Sequence, residues 1–265
     1  MSIQVSSVDA TEVFVTRAKK LVDDSGIKEP PIDPARLAIV QGVRRIMVSN
    51  TMEVSGELVR DGGELVIRLN GRESPQRRNF SCCHEIAHTF AFHSPLAEMS
   101  VRMRTISCLR YSPQEQMCDR AAAEMLMPEK FFRPVAANLR PGIESLATLS
   151  RVFGSSIGAT MIRLGQLRVW PVVFIVWKFT TRLGSSRKLR VFWSARPAGS
   201  RCFIPRHAPA RPASGMYATF STSVPTFESE SLDLGSLRGS YLIENARFGE
   251  HVVSIVHDPK LRRGA

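Results

Sequence analysis

The chain has 265 residues, of which 43% are hydrophobic and 23% charged; this balance belongs to a globular protein and excludes a disordered one. Its net charge is +12, and residues 159–265 carry 16 Lys/Arg against 6 Asp/Glu while residues 1–158 carry 20 against 18, so the last third favours an acidic partner such as DNA, or is simply an Arg-rich surface. No apolar run approaches the roughly 20 residues of a membrane helix.

Residues 9–25, DATEVFVTRAKKLVDDS, read as an amphipathic helix with Val13, Ala18, Leu21 and Val22 on its apolar side and Gly26 as C-cap. A short helix, PARLAIVQG, follows, with Pro34 in its first turn. Residues 43–70 contain three strand-like runs, VRRIMVS, SGELVRD and GELVIRLN, the last two joined by the hairpin signal Asp61-Gly62-Gly63. A helix is expected over 77–93 and a loop or lid over 94–112. A second helix runs from Ser112 to Leu126, with Ser112 as N-cap, Pro113 in the first turn and Glu115 at capping-box spacing.

Residues 129–168 are again helical. Within them Ile143–Leu167 resembles a helix-turn-helix around Gly154-Ser155-Ser156, and a plain helical pair closing a core has the same pattern. From Trp170 onward WPVVFIVWKF, LRVFWSA, CFIP, MYATFSTS, SYLIEN and HVVSIVHD are strand-like. The division expected is 1–140, 141–168 and 169–265. MSIQVSSVDATEVF lacks a basic segment followed by an apolar one, so no secretory leader is expected. The five cysteines, Cys82, Cys83, Cys108, Cys118 and Cys202, are odd in number and irregularly spaced; reduced thiols and a cytoplasmic location are the simplest reading.

The chemistry concentrates in His84-Glu85-Ile86-Ala87-His88. On an α-helix, four residues return to the same face one turn on, so both imidazoles can reach one metal ion. Glu85 projects about 100° away and can touch water on that ion without being a ligand. That is the pattern of a metal hydrolase, in which Zn²⁺ acidifies water and a carboxylate carries the proton. Two solvent-capped histidines would be the plainer explanation, but Phe80, Ile86, Ala87, Phe90, Ala91 and Phe92 make this helix apolar nearly all round, and buried imidazoles need partners.

A catalytic zinc takes three protein ligands. His93 lies on the far side of the helix, and the longer pattern with a third histidine six residues after the second fails at Ser94. The second helix offers Glu115, Asp119 and Glu124. Taking Glu115 as zero, Asp119 falls at about 40°, Ala122 at about 340° and Leu126 at about 20°, while Glu124 lies at about 180°. The small and apolar stripe should face inward, which selects Glu115 as third ligand and leaves Glu124 outward or structural. Asp119 can orient an imidazole from behind or bond to backbone.

These residues resemble the ImmA/IrrE family of bacterial metallopeptidases, which shows a core like RxRFTxAHExGH and then a segment like ExxANxFAAELLMP. Here the first reads Arg77 to His88 as RRNFSCCHEIAH, and the second reads Glu115 to Pro128 as EQMCDRAAAEMLMP. The likeness covers about residues 9–168. It implies zinc (Mn²⁺ being another ion such sites accept) held by His84, His88 and Glu115, with Glu85 as base. Family members cleave helix-turn-helix repressors, releasing stress-response or mobile-element genes, and some carry a GAF-like sensory domain after the core. Asn79, Cys83, Ala87, Asp119 and Ala121 depart from the family pattern without removing a ligand or the base.

The expected fold is α+β: a minimal zincin-like peptidase core, a small sheet packed on helices, followed by the helix-turn-helix-like segment and a strand-rich, GAF-like C-terminal domain. The expected activity is a zinc endopeptidase acting on a repressor protein, with DNA contact through the basic C-terminal third and no membrane association. The alternative is a DNA-binding regulator with a structural metal, its fourth ligand drawn from Cys108, Cys118 or His93. Tyr111 is a candidate for stabilising the oxyanion.

Overall fold

Short polar and proline signals start the helices that matter, and small residues let them pack closely. The computed structural model describes residues 7–91, 112–181, 187–258, 260 and 261. They divide into two compact units, one comprising residues up to Phe132 with Ser150–Ser156, the other Arg133–Leu149 with the chain from Ile157 onward.

The first unit begins with α1 (Ser7–Asp24). Its buried stripe is Ala10, Phe14, Ala18, Leu21 and Val22, spaced at three and four residues as a 3.6-residue period requires. Val13, expected in that stripe, is 40% exposed because it sits about 100° from Phe14. Gly26 follows at φ 69, a left-handed position that glycine tolerates best. The next helix, α2 (Pro34–Val40), is capped by Asp33, whose carboxylate accepts the Ala35 N–H at 2.9 Å.

Three strands follow: β1 (Val43–Ser49), β2 (Gly56–Asp61) and β3 (Glu64–Asn70). Their order is β1-β3-β2, with β1 parallel and β2 antiparallel to the central β3. The hairpin turn is Gly62-Gly63, both at positive φ, which is the geometry a two-residue hairpin loop favours. β2 is an edge strand.

Helix α3 (Pro75–His88) starts two residues earlier than the apolar pattern suggests, because the Ser74 hydroxyl accepts the Arg77 N–H and Pro75 occupies the first turn. It ends at His88 in a 3₁₀ turn, Thr89–Ala91, so the regular helix is shorter than the expected 77–93. The Thr89 hydroxyl bonds back to the Ile86 carbonyl at 2.6 Å. Helix α4 (Pro113–Leu126) begins as its sequence demands, the Ser112 hydroxyl accepting the Glu115 N–H at 3.3 Å. α3 packs on β2 and β3 and against α4, while α1 packs on α4. The expected loop at 94–112 lies outside the described residues except for Ser112.

α5 (Glu129–Ala137), α6 (Ile143–Val152) and α7 (Ile157–Leu167) account for the expected helical stretch. The second unit is built on a five-stranded antiparallel sheet of β4 (Val172–Thr180), β5 (Lys188–Ala195), β6 (Thr226–Leu234), β7 (Leu237–Phe248) and β8 (His251–His257), in the order β5-β4-β8-β7-β6. One face carries a core of Ile175, Trp177, Val191, Leu232 and Ile243. On the other, Trp170 packs on Phe174 and donates its indole N–H to the Ala136 carbonyl at 2.9 Å.

Two expectations fail in this unit. MYATFSTS is not a strand: Gly215–Thr222 forms α8, with Met216 and Thr219 buried on one face. Its aromatic and β-branched residues raise strand propensity, but the i, i+3 pair facing the sheet outweighs it. CFIP contributes no strand among the described residues. Conversely TFESESLDL, which shows little alternation, is β6; as an edge strand it needs only Leu232 and Leu234 buried.

Replacing Ser112 by Ala should cost about 1 kcal/mol through loss of the N-cap, read as a lower urea midpoint with an unchanged slope.

Candidate metal centre

The C-terminal half of α3 is buried on most sides, with Ser81, Cys82, Cys83, Glu85, Ile86 and Ala87 buried and His84 and His88 partly open. The imidazole stripe therefore faces a space that solvent reaches. The two rings stand edge to face with centroids 4.9 Å apart.

Helix α4 brings Glu115 to both. Its Oε2 lies 3.0 Å from His84 Nε2 and its Oε1 lies 3.6 Å from His88 Nε2. Donor atoms around a tetrahedral zinc, at about 2.0–2.1 Å from it, are separated by about 3.3 Å. The observed spacings bracket that value, so Glu115 stands from each imidazole at the separation two ligands of one divalent ion would have.

The opposite ring nitrogens are held from behind. His84 Nδ1 lies 2.9 Å from Asp119 Oδ1, and His88 Nδ1 lies 3.5 Å from Cys118 Sγ. These contacts leave each Nε2 directed at Glu115. Cys118, a candidate fourth ligand from the sequence, has its thiol on the Nδ1 side of His88. Burial, with the nearby acidic groups, pushes that thiol well above its ordinary range, which suits a weak hydrogen-bonding partner better than a thiolate. Cys83 is wholly buried and likewise raised, by burial first. His93, Cys108 and Tyr111 lie outside the described residues.

Glu85 points another way. Its carboxylate oxygen lies within 4.8 Å of ligand atoms of His84 and His88, but the side chain is buried and carries a backbone hydrogen bond at Leu58 on β2. Burial raises its pKa to about 7, against the opposing pull of His84. Gly56 makes this placement feasible: a Cβ there would stand 3.2 Å from both Cγ and Oε1 of Glu85. The sequence gives no hint of that role, since Gly56 looks like the ordinary glycine before a strand.

Burial tends to lower the His84 pKa, but hydrogen bonds to Asp119 and Glu115 outweigh it and raise the imidazole to about 10. The hydrogen bond from His84 in turn lowers Glu115. Glu124, on the far side of α4, is buried and accepts the Glu129 N–H at 3.1 Å, capping α5. It is structural as expected, and it is not outward.

The His84-Glu85-His88 group fits the HExxH pattern of metallopeptidases. Residues 44–165 match the family model for the IrrE N-terminal-like domain, Peptidase_M78, which supports the ImmA/IrrE resemblance over that stretch. A solved Mycobacterium tuberculosis transcriptional regulator is similar in fold, with a TM-score of 0.56 and 17% identity over 96% of this chain and 82% of that one. No curated protein matches the chain. Among the described residues no helix is long and apolar enough to cross a membrane.

Glu115→Ala should weaken zinc affinity by about a hundredfold or more. Glu124→Ala should leave it within about twofold while costing about 1 kcal/mol of stability, because a half-buried N–H loses its partner. The two are separated by metal titration and urea unfolding; the reverse pattern would move the third ligand to Glu124. A His84 pKa raised to about 10 implies a protonated imidazole in the metal-free protein, so binding one Zn²⁺ at about pH 7.5 should release about one proton, and affinity should fall as pH falls. The buffer dependence of the calorimetric enthalpy reads this directly. Asp119→Asn should lessen the release, and a wild-type value near zero would show a neutral imidazole before binding.

Proposed function

We propose that the protein is a zinc-dependent endopeptidase of the cytoplasm whose substrate is a helix-turn-helix repressor, and that cleavage releases stress or mobile-element genes. The observation that carries this reading is the convergence of His84, His88 and Glu115, with a separate buried carboxylate, Glu85, beside them. His84, His88 and Glu115 would hold the ion. When bound it supplies Lewis acidity, polarising a carbonyl and acidifying water.

The chain's own residues do the rest. Glu85, raised to about 7, is suited to take a proton from water and deliver it to the leaving amine near neutral pH. Gly56 leaves room for it, and the bond at Leu58 fixes its direction. Asp119 and Cys118 keep the imidazoles turned toward the ion. β2 has no strand on its outer edge among the described residues, so an extended substrate segment can add there, next to Glu85, through main-chain hydrogen bonds. A folded repressor would have to present such a segment.

We assign residues 1–140 to the peptidase core, 141–168 to a helix-turn-helix-like segment and 169–265 to a basic sensory or substrate-holding part of GAF-like kind. The description of the similar M. tuberculosis protein as a transcriptional regulator supports a setting in gene control, and the excess of Lys/Arg over 159–265 supports a nearby acidic partner such as DNA.

The test is incubation of the full chain with Zn²⁺ or Mn²⁺ and the repressor encoded beside it, followed by mass analysis of the products. Glu85→Gln should retain full metal stoichiometry and lose about 10²–10⁴-fold in cleavage rate. Gly56→Ala should also keep its metal but slow cleavage, because the added methyl group displaces Glu85. Wild-type cleavage by Glu85→Gln would remove the base from the mechanism.

A further inference from the structure

The second unit contains a cavity of about 370 Å³ beside β6, within the size range of small-molecule sites. Its apolar walls are Trp177, Met216, Leu232 and Leu234, all buried. Two polar side chains, Glu230 and Ser214, line it as well.

Glu230 is partly buried and unusually placed. Its Oε1 accepts from the Asn245 side-chain amide and its Oε2 from the Gly215 N–H, each at 3.1 Å. Both donors are neutral, and among the described residues no Lys, Arg or His forms an ion pair with it. A desolvated carboxylate lacking a cation carries a standing electrostatic cost that a cationic ligand would relieve.

The wall is also fixed in place. The Trp177 indole N–H donates to the Ser254 hydroxyl at 2.8 Å, Ser254 donates to the Asn245 carbonyl oxygen, and Asn245 donates to Glu230. Thr226 accepts the other Asn245 bond at 3.0 Å. Asn245 and Ser254 are wholly buried. An aromatic plane and a carboxylate on one cavity thus sit at the two ends of a single hydrogen-bond chain, which preorganises both.

Ser214 supplies an independent sign. It is the N-cap residue of α8 but makes no capping bond, and its hydroxyl oxygen is buried without a hydrogen-bond partner among the described residues. Buried hydroxyls are normally satisfied. Of the remaining charged lining residues, Arg211 is exposed, and the exposed Asp233 pairs with Arg238 at 3.3 Å. The charge within is therefore negative, inside a unit that is otherwise strongly basic.

We propose that this cavity binds a small organic cation, an amine on a flat apolar body, with the ammonium shared between Glu230 and the Ser214 hydroxyl and the apolar body against Trp177, Met216 and Leu232. Such a ligand satisfies the unpaired carboxylate and the unpaired hydroxyl together. The proposal is independent of the metal centre and its test does not read peptidase activity.

The experiment is calorimetry on the full chain with three probes of one shape: tryptamine, 3-ethylindole and indole-3-acetate. Tryptamine should bind with Kd below about 1 mM, and the neutral and anionic probes at least about tenfold more weakly. Glu230→Gln should weaken tryptamine about tenfold or more, whereas Arg211→Ala should retain or tighten it, with folding of each variant checked by circular dichroism. Should Glu230→Gln fail to fold, the three-probe comparison on the wild-type chain decides. Absence of tryptamine binding at several mM, preference for indole-3-acetate that Arg211→Ala abolishes, or unchanged tryptamine affinity in folded Glu230→Gln would each overturn the proposal.

Discussion

Everything at the centre rests on how closely α3 and α4 approach. Glu115 has a short reach, yet its two oxygens meet imidazoles one turn apart on the neighbouring helix at 3.0 and 3.6 Å. Such proximity needs small side chains where the helices face each other. Cys83, Ala87, Cys118, Ala121 and Ala122 are all buried, and none is large enough to hold two helices far apart. The departures from the family pattern in this region keep to that rule: Cys83, Ala87 and Ala121 are small.

The same packing separates the two acidic functions. One carboxylate, Glu115, is drawn down by the imidazolium beside it and remains charged. The other, Glu85, is raised to about 7, chiefly by burial against β2. A single environment for both would give two charged groups or two neutral ones. The difference comes from their directions on two helices, one toward a partly open face and one toward a glycine on the sheet. Edge strand β2 therefore has two tasks, seating Glu85 and leaving a main-chain edge beside it.

The second unit follows a different principle. Its sheet buries both faces in the centre, where β4 and β8 carry continuous buried runs, and becomes polar at its β6 edge. The buried Asn245 and Ser254 would be costly in an apolar core unless satisfied. They are satisfied by each other and by Trp177 and Glu230, so the polar chain leads from the interior to the cavity. The charge excess of the last third and the acidic lining of that cavity are separate facts, one global and one local.

Local signals determined much of the fold from the sequence alone. Asp33-Pro34 and Ser112-Pro113 start helices because the cap and the fixed proline φ are properties of adjacent residues, and Ser74-Pro75, which the apolar pattern over 77–93 passes over, does the same. Gly62-Gly63 fixes the hairpin for a similar reason. His84, Glu85 and His88 could be read as a metal pattern because their spacing on one helix is itself the geometry, and the helical wheel set Glu115 and Glu124 on opposite faces of α4. Tertiary packing alone decided the rest. Gly56 matters only because β2 folds against α3, Cys118 only because α4 lies along His88, and Glu124 is structural because its carboxylate accepts the Glu129 N–H. MYATFSTS became a helix, and TFESESLDL an edge strand, because the sheet offered each a partner its own pattern does not specify. Spacing along one chain encodes what one helix or turn can do, while contacts between residues such as 56 and 85, or 177 and 254, exist only once distant segments have met.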